Sequence, residues 1–167
     1  DFKKMEAMQM SNVNLLASDF SVLLVKNIDK HKLNAQQLKT LSAISDWKGL
    51  YSLDNEKATF FQLWWDDVKK NTWDEWRKLS FYIRPPEDYL LVDFISKEPN
   101  NECFDEQRTM KKENAGDIIT ESFFTAFESY ERFKTEQGVK WGDCNKVNIV
   151  HLTNLDAFSR MDIPSAG

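Results

Sequence analysis

The sequence predicts a mainly α fold: an irregular bundle of about six helices with one short strand region near the C-terminus. Three observations predict it. Glycine and proline are scarce, five and four in 167 residues, which disfavours a turn-rich sandwich or barrel. Apolar residues recur three and four apart through most of the chain. Clean alternation occurs in one window only, Val147 to Leu152. The length suits one domain, which hides roughly two thirds of its unfolded surface. With 41% hydrophobic and 29% charged residues the chain is globular rather than disordered.

The elements follow in order. Phe2, Met5, Met8 and Met10 lie near helical spacing, and the methionines read as core filler rather than cofactor ligands. Leu15, Leu16, Phe20, Leu23, Leu24 and Ile28 form a cleaner stripe, with Asn12 or Asn14 as its cap and Asp29 to Lys32 as its polar end. Asn34 reads as the N-cap of a helix over 35–45, with Leu38, Leu41 and Ile44 on one face. Gly49 permits a positive φ and marks a turn after Trp47.

Asp54 reads as the cap of the next helix, about Glu56 to Lys70, whose face is Phe60, Phe61, Trp64, Trp65 and Val68. A short piece with Trp73, Trp76 and Leu79 follows. Pro85 and Pro86 stop one helix and start another, since proline suits a first turn but not an interior. Glu87 and Asp88 favour its positive end, and Leu90, Leu91, Phe94 and Ile95 give it a face. Residues 101–113 are polar, a loop or an extended stretch. A long helix is predicted from about Ala115 to Gln137, closed by Gly138. The lone strand near the end either pairs with an irregular neighbour or belongs to a sheet elsewhere, because even a two-stranded hairpin is marginal in water.

Composition excludes several classes. The net charge is -5 and the basic residues form no stripe, so a nucleic-acid partner is not expected. No apolar run approaches the roughly 20 residues of a membrane span; the longest, Leu15 to Ile28, is broken by Asp19, Ser21 and Lys26. The six Trp, twelve Phe and four Tyr read as a ring-filled core; the sharper alternative is that some rings sit at an interface with further chain. Both ends read as cut. Asp1 to Met5 looks like the middle of an amphipathic helix, and Ile163 to Gly167 stops without a closing element.

No complete chemical site is legible. Phosphate-cradling glycine loops and a nucleophile elbow are missing. His31 lies in a polar turn and reads as solvated; His151, near Thr153 and Asn154, reads as a hydrogen-bonded structural histidine. Asp66 and Asp67, with Asp74 and Glu75, could gather a metal or an acid–base pair. Adjacent helical residues point about 100° apart, however, so a solvated acidic face is the better reading. Cys103 and Cys144 are isolated; a disulfide between them is open.

Several stretches carry a resemblance. Met5-Glu6-Ala7-Met8-Gln9-Met10 and the helix from Ala17 to Leu24 come first. Asp46-Trp47-Lys48-Gly49, Asp54, Ala58 and Phe60-Phe61-Gln62-Leu63-Trp64-Trp65 follow. Then come Phe104-Asp105, Thr109, Lys112-Glu113 and Asp117-Ile118-Ile119. Trp141-Gly142-Asp143, His151-Leu152, Ala157-Phe158 and Ile163-Pro164-Ser165-Ala166-Gly167 close the series. In this order they resemble the penicillin acylase (penicillin amidase) family.

The resemblance implies an N-terminal-nucleophile hydrolase, made as a precursor that cleaves itself into α and β chains. The new terminal serine attacks a linear amide with its own α-amine as base, and an asparagine and a backbone N–H hold the oxyanion. Substrates of that type are β-lactam side chains or acyl-homoserine lactones, and the location is periplasmic or secreted. Residues 1–167 are then expected to be one helical segment excised from the β chain of a larger αββα protein, with the nucleophile-bearing core upstream and closing strands downstream. Its partners are the remainder of the β chain and the α chain, and the parent takes a small-molecule amide. The family's serine, asparagine and calcium ligands lie upstream of the matching region. No catalytic, cofactor or metal residue is therefore carried onto this chain. Two departures stand out: Ser165-Ala166 replaces a glycine of the closing stretch, and Asn12 or Ser11 replaces an acid. The alternative is a free-standing helical module whose Phe60, Trp64 and Trp65 line a groove for a peptide or apolar ligand.

Overall fold

The computed structural model describes residues 1–74, 84–105, 109–153 and 155–166. Among these it has seven α-helices: α1 (Phe2–Gln9), α2 (Leu15–Asn27), α3 (Ala35–Ser45), α4 (Glu56–Thr72), α5 (Asp88–Lys97), α6 (Ala115–Glu136) and α7 (Trp141–Cys144). Strands β1 (Lys146–Ile149) and β2 (Arg160–Pro164) form one antiparallel pair. The mainly α architecture with a short strand region is as the sequence predicts. Trp76 and Leu79 of the expected short piece lie outside the described residues.

The two longest helices, α4 and α6, are the spine. They run antiparallel: Glu56 meets Tyr130 at one end, and Asn71 meets Ser122 towards the other. Between these contacts Phe60 and Trp64 close on Phe123 at centroid distances of 5.3 and 5.0 Å. The Trp64 indole N–H donates to the Ile119 carbonyl at 2.9 Å, so a fully buried ring keeps its one polar atom satisfied. Capping fixes where the spine starts. Asn114 and Asp117 form a reciprocal capping box at α6, as Asn34 and Gln37 do at α3. Gly138, at φ 97, follows α6.

Helix α2 lies across this pair through Ala17, Phe20, Ser21 and Leu24, with Phe20 at 4.8 Å from Trp65. Its cap is Asn14, whose side chain accepts from Ala17 N–H at 3.1 Å. The expected stripe is corrected at its start: Leu15 and Leu16 are exposed, because the face packed on α4 and α6 begins at Ala17. Leu38 of α3 is likewise exposed while Leu41 and Ile44 are buried. The cap of α4 is Asn55, which accepts from Lys57 N–H; Asp54 instead accepts from the Ser52 hydroxyl. The expectation of Asp54 was one residue early, since Asn55 is the last extended residue before the helix.

Helix α1 buries none of its residues. Phe2, Met5, Met8 and Met10 are therefore exposed rather than core filler. The Asp1 side chain accepts from Lys3 N–H at the start of α1. At the other end Ile163 and Pro164, of the stretch expected to stop without a closing element, belong to β2, the partner of β1. Val147 pairs with Ile163 and Ile149 with Arg160, with a bulge between. The strand stops at Ile149 rather than Leu152, and all four of its residues are exposed. Helix α7 ties this hairpin to the spine: Gly142 N–H donates to Leu53 O at 2.8 Å, and the Trp141 ring meets Tyr51 edge-on at 4.7 Å.

Candidate functional site

The acidic residues that the sequence brings forward do not converge. Asp66 takes Lys69 at 3.1 Å and the Gln62 amide at 3.0 Å. Asp67 turns the other way to Lys70 at 3.9 Å, and burial raises its carboxyl above the ordinary range. Each carboxylate thus has a lysine one turn on; Asp66 is solvated, while Asp67 is largely buried. Asp74 is beyond α4, and Glu75 lies outside the described residues.

The remaining candidates are also separate. His31 is exposed in the 3-10 turn Lys30–Lys32. His151 is exposed too, its Nδ1 2.9 Å from the Thr153 hydroxyl and its ring 5.3 Å from Phe158. It is hydrogen-bonded, as expected. Cys103 and Cys144 are not joined by a disulfide. Burial pushes the Cys144 thiol up, away from the thiolate that nucleophilic chemistry needs. Among the described residues no group of three or more His, Cys, Asp or Glu is placed to hold a metal ion.

The groove expected at Phe60, Trp64 and Trp65 is not built that way. All three rings are buried against the chain's own helices, Phe60 and Trp64 against Phe123 of α6 and Trp65 against Phe20 of α2. The rings are core because α4 faces neighbours on two sides, so its wide apolar stripe is used twice.

Among the surface clefts of the described residues, two that the sequence reading misses hold buried or hydrogen-bonded aromatic rings. One, of about 660 Å³, lies where α3 and α6 meet the start of α4. In it Tyr130 donates to Glu56 at 3.1 Å under the Lys134 ammonium, and burial, then Glu56, raises the phenol above its ordinary pKa. The other, of about 770 Å³, runs between α2, α4 and α5. Its base is Trp65, whose indole N–H donates to Asp88 at 2.9 Å, with Lys69 reaching the same carboxylate at 3.8 Å. Burial, then Asp66, raises the Tyr51 phenol at its margin. In the sequence Glu87 and Asp88 read only as dipole-matching acids; their position on a cleft depends on how α5 packs, which periodicity does not specify.

Neither cleft joins a nucleophile to a base. The chain is therefore placed by comparison: the model of the family described as Penicillin amidase matches residues 1–167, the whole chain. The chain belongs to the penicillin amidase family. No curated protein and no solved structure matches it. For a penicillin amidase chain the relevant chemistry is hydrolysis of an amide, and no helix among the described residues is long and apolar enough to cross a membrane.

Proposed function

We propose that this chain is a non-catalytic helical segment of a penicillin-amidase-type hydrolase that cleaves a linear amide of a small molecule. The observation that carries this reading is the family match along all 167 residues. The catalytic serine, with its α-amine as base, and the oxyanion donors then belong to the part of the β chain that precedes this segment. Any calcium is held there as well. The whole protein matures from one precursor into α and β chains and works in the periplasm or outside the cell.

Exposed apolar surface supports the same reading. Phe2, Met5, Met8 and Met10 on or beside α1, and Val147, Ile149, Phe158 and Met161 about the hairpin, lie in water in this chain. Large exposed apolar patches mark interaction surfaces. In this proposal the rest of the β chain and the α chain cover them, and the helices buttress the catalytic core. The free-standing module is disfavoured because its groove rings are buried.

The test is expression of the full reading frame, with N-terminal sequencing of the products and an assay on chromogenic N-acyl anilides. Self-cleavage exposing a terminal serine, with turnover lost when that serine becomes alanine, is the expected result. The 167-residue chain alone should stay at background. Turnover by this chain, abolished by a point substitution within it, would overturn the proposal.

A further inference from the structure

His151 lies in the connection between β1 and β2, and its ring is bonded in a way that one protonation state allows and the other does not. The Thr153 amide N–H donates to His151 Nδ1 at 3.3 Å, and the Thr153 hydroxyl lies 2.9 Å from the same atom. A backbone N–H can only donate, so Nδ1 carries a lone pair and the neutral ring holds its hydrogen on Nε2. The imidazolium has a hydrogen on both nitrogens. It cannot accept the Thr153 N–H.

The same residue ties the connection to itself. The His151 ring packs against Phe158 at 5.3 Å. The His151 N–H donates to Ser159 Oγ at 3.1 Å, and Ser159 Oγ donates to Leu155 O at 3.1 Å. Burial contributes little here, because Leu152, Leu155 and Phe158 are all exposed. These few polar bonds therefore set the shape of the connection. The groups that face His151 are Thr153, Phe158 and Ser159, none of them charged. Asp156 and Arg160 are the charged residues that follow it before the pairing of β2 begins, and among the described residues neither forms an ion pair with the ring.

We propose that His151 is a proton-sensitive latch: its neutral ring holds the β1–β2 connection closed, and a proton taken up at Nδ1 releases it. The proton comes from solvent onto the lone pair that Thr153 N–H occupies. The Thr153 hydroxyl can turn and accept from the new N–H, but the Thr153 amide cannot, so ring and amide part and the contact with Phe158 loosens. Imidazoles titrate between about pH 5 and 8. The latch is closed on the alkaline side of that range and open on the acid side. It does not depend on the amidase reading, since no substrate and no other part of the protein enters it.

The test is NMR of the 167-residue chain between about pH 8 and pH 5. Ring nitrogen shifts of His151 at the alkaline end should show the hydrogen on Nε2. On acidification the protection of the Thr153 amide, corrected for its intrinsic exchange rate, should fall about fivefold, the fold-change of one hydrogen bond. Ring contacts with Phe158 should fade in step with the titration of His151, while the Phe123 amide in the spine stays protected. His151→Asn supplies an acceptor that does not titrate, because asparagine side chains bond the backbone two residues on. That variant should hold the connection closed at both ends of the range. A hydrogen on Nδ1 in the neutral ring, protection of Thr153 indifferent to pH, an equal loss in the asparagine variant, or a parallel loss at Phe123 would overturn the proposal. None of these outcomes bears on self-cleavage or amide turnover in the full-length protein.

Discussion

The amide of Asn14 donates to the carbonyl of Gly49 at 2.8 Å, and Gly49 has no room for a side chain on the Asn14 side. This contact joins the cap of α2 to the turn after α3, and Tyr51 N–H donating to Asn12 O at 2.8 Å completes the junction. Gly49 also sits at φ 73, where a β-carbon is strained. Gly49→Ala therefore combines strain with a backbone clash. A loss of about 2–3 kcal/mol is expected, read as a lower urea midpoint at unchanged slope. An unchanged midpoint would mean the junction relaxes freely.

Trp64 and Trp65 are neighbours with different debts to their hydrogen bonds. Trp64 is fully buried and donates to Ile119 O, while Trp65 donates to a half-exposed Asp88. Trp64→Phe leaves a cavity and removes the indole donor from the buried Ile119 carbonyl, so about 3 kcal/mol should be lost. Asp88→Ala removes the Trp65 partner at the surface and should cost about 1 kcal/mol. Chemical denaturation of the two variants tests the ordering; a larger effect at Asp88 would contradict it.

Which of these features the sequence announced follows from their range. Asn34, Asn114 and Gly138 act within a few residues of themselves, so the helix ends they set were legible or close to it. Periodicity showed that α1 and the start of α2 carry apolar faces, but not what lies against them, and Met5 and Leu16 proved exposed. Strand β2 was invisible because Arg160, Asp162 and Pro164 give it no strand signature, and its pairing with β1 spans a loop. Asp162 even takes a positive φ, held by its N–H donating to the Asn148 side chain. The clefts were illegible for the same reason as the exposed stripes: they are made by the angles between helices.

Acid stability should depend on Asp117. Its carboxylate receives Lys111 at 2.7 Å and Lys32 at 3.8 Å and closes the α6 capping box. The Lys111 hydrogen bond, foremost, holds its pKa below the ordinary carboxylate range. The unfolded chain thus binds the proton more readily than the folded one. The stabilisation is complete above the unfolded pKa of about 3.9 and is lost as pH falls through the lower folded value. Asp117→Asn should flatten the fall in unfolding free energy below about pH 4. Equal acid slopes for the variant and the parent chain would show that the ion pairs are too screened to matter.

The hairpin should be far less stable than the α4–α6 spine. Every residue of β1 is exposed, the register is broken by a bulge, and its tethers are Asn145 to Ser165 and α7 to Leu53. Two strands without a covered face gain too little apolar burial to resist opening. Amide hydrogens of Val147 and Ile163 should therefore exchange orders of magnitude faster than those of Phe123 or Trp64, which sit where α4 and α6 interlock. If the rest of the amidase covers the hairpin, the same amides should become protected in the full-length protein while the spine changes little. Spine-like protection already present in the 167-residue chain would show that bonding to α7 suffices, and would remove the hairpin from the surfaces that need a partner.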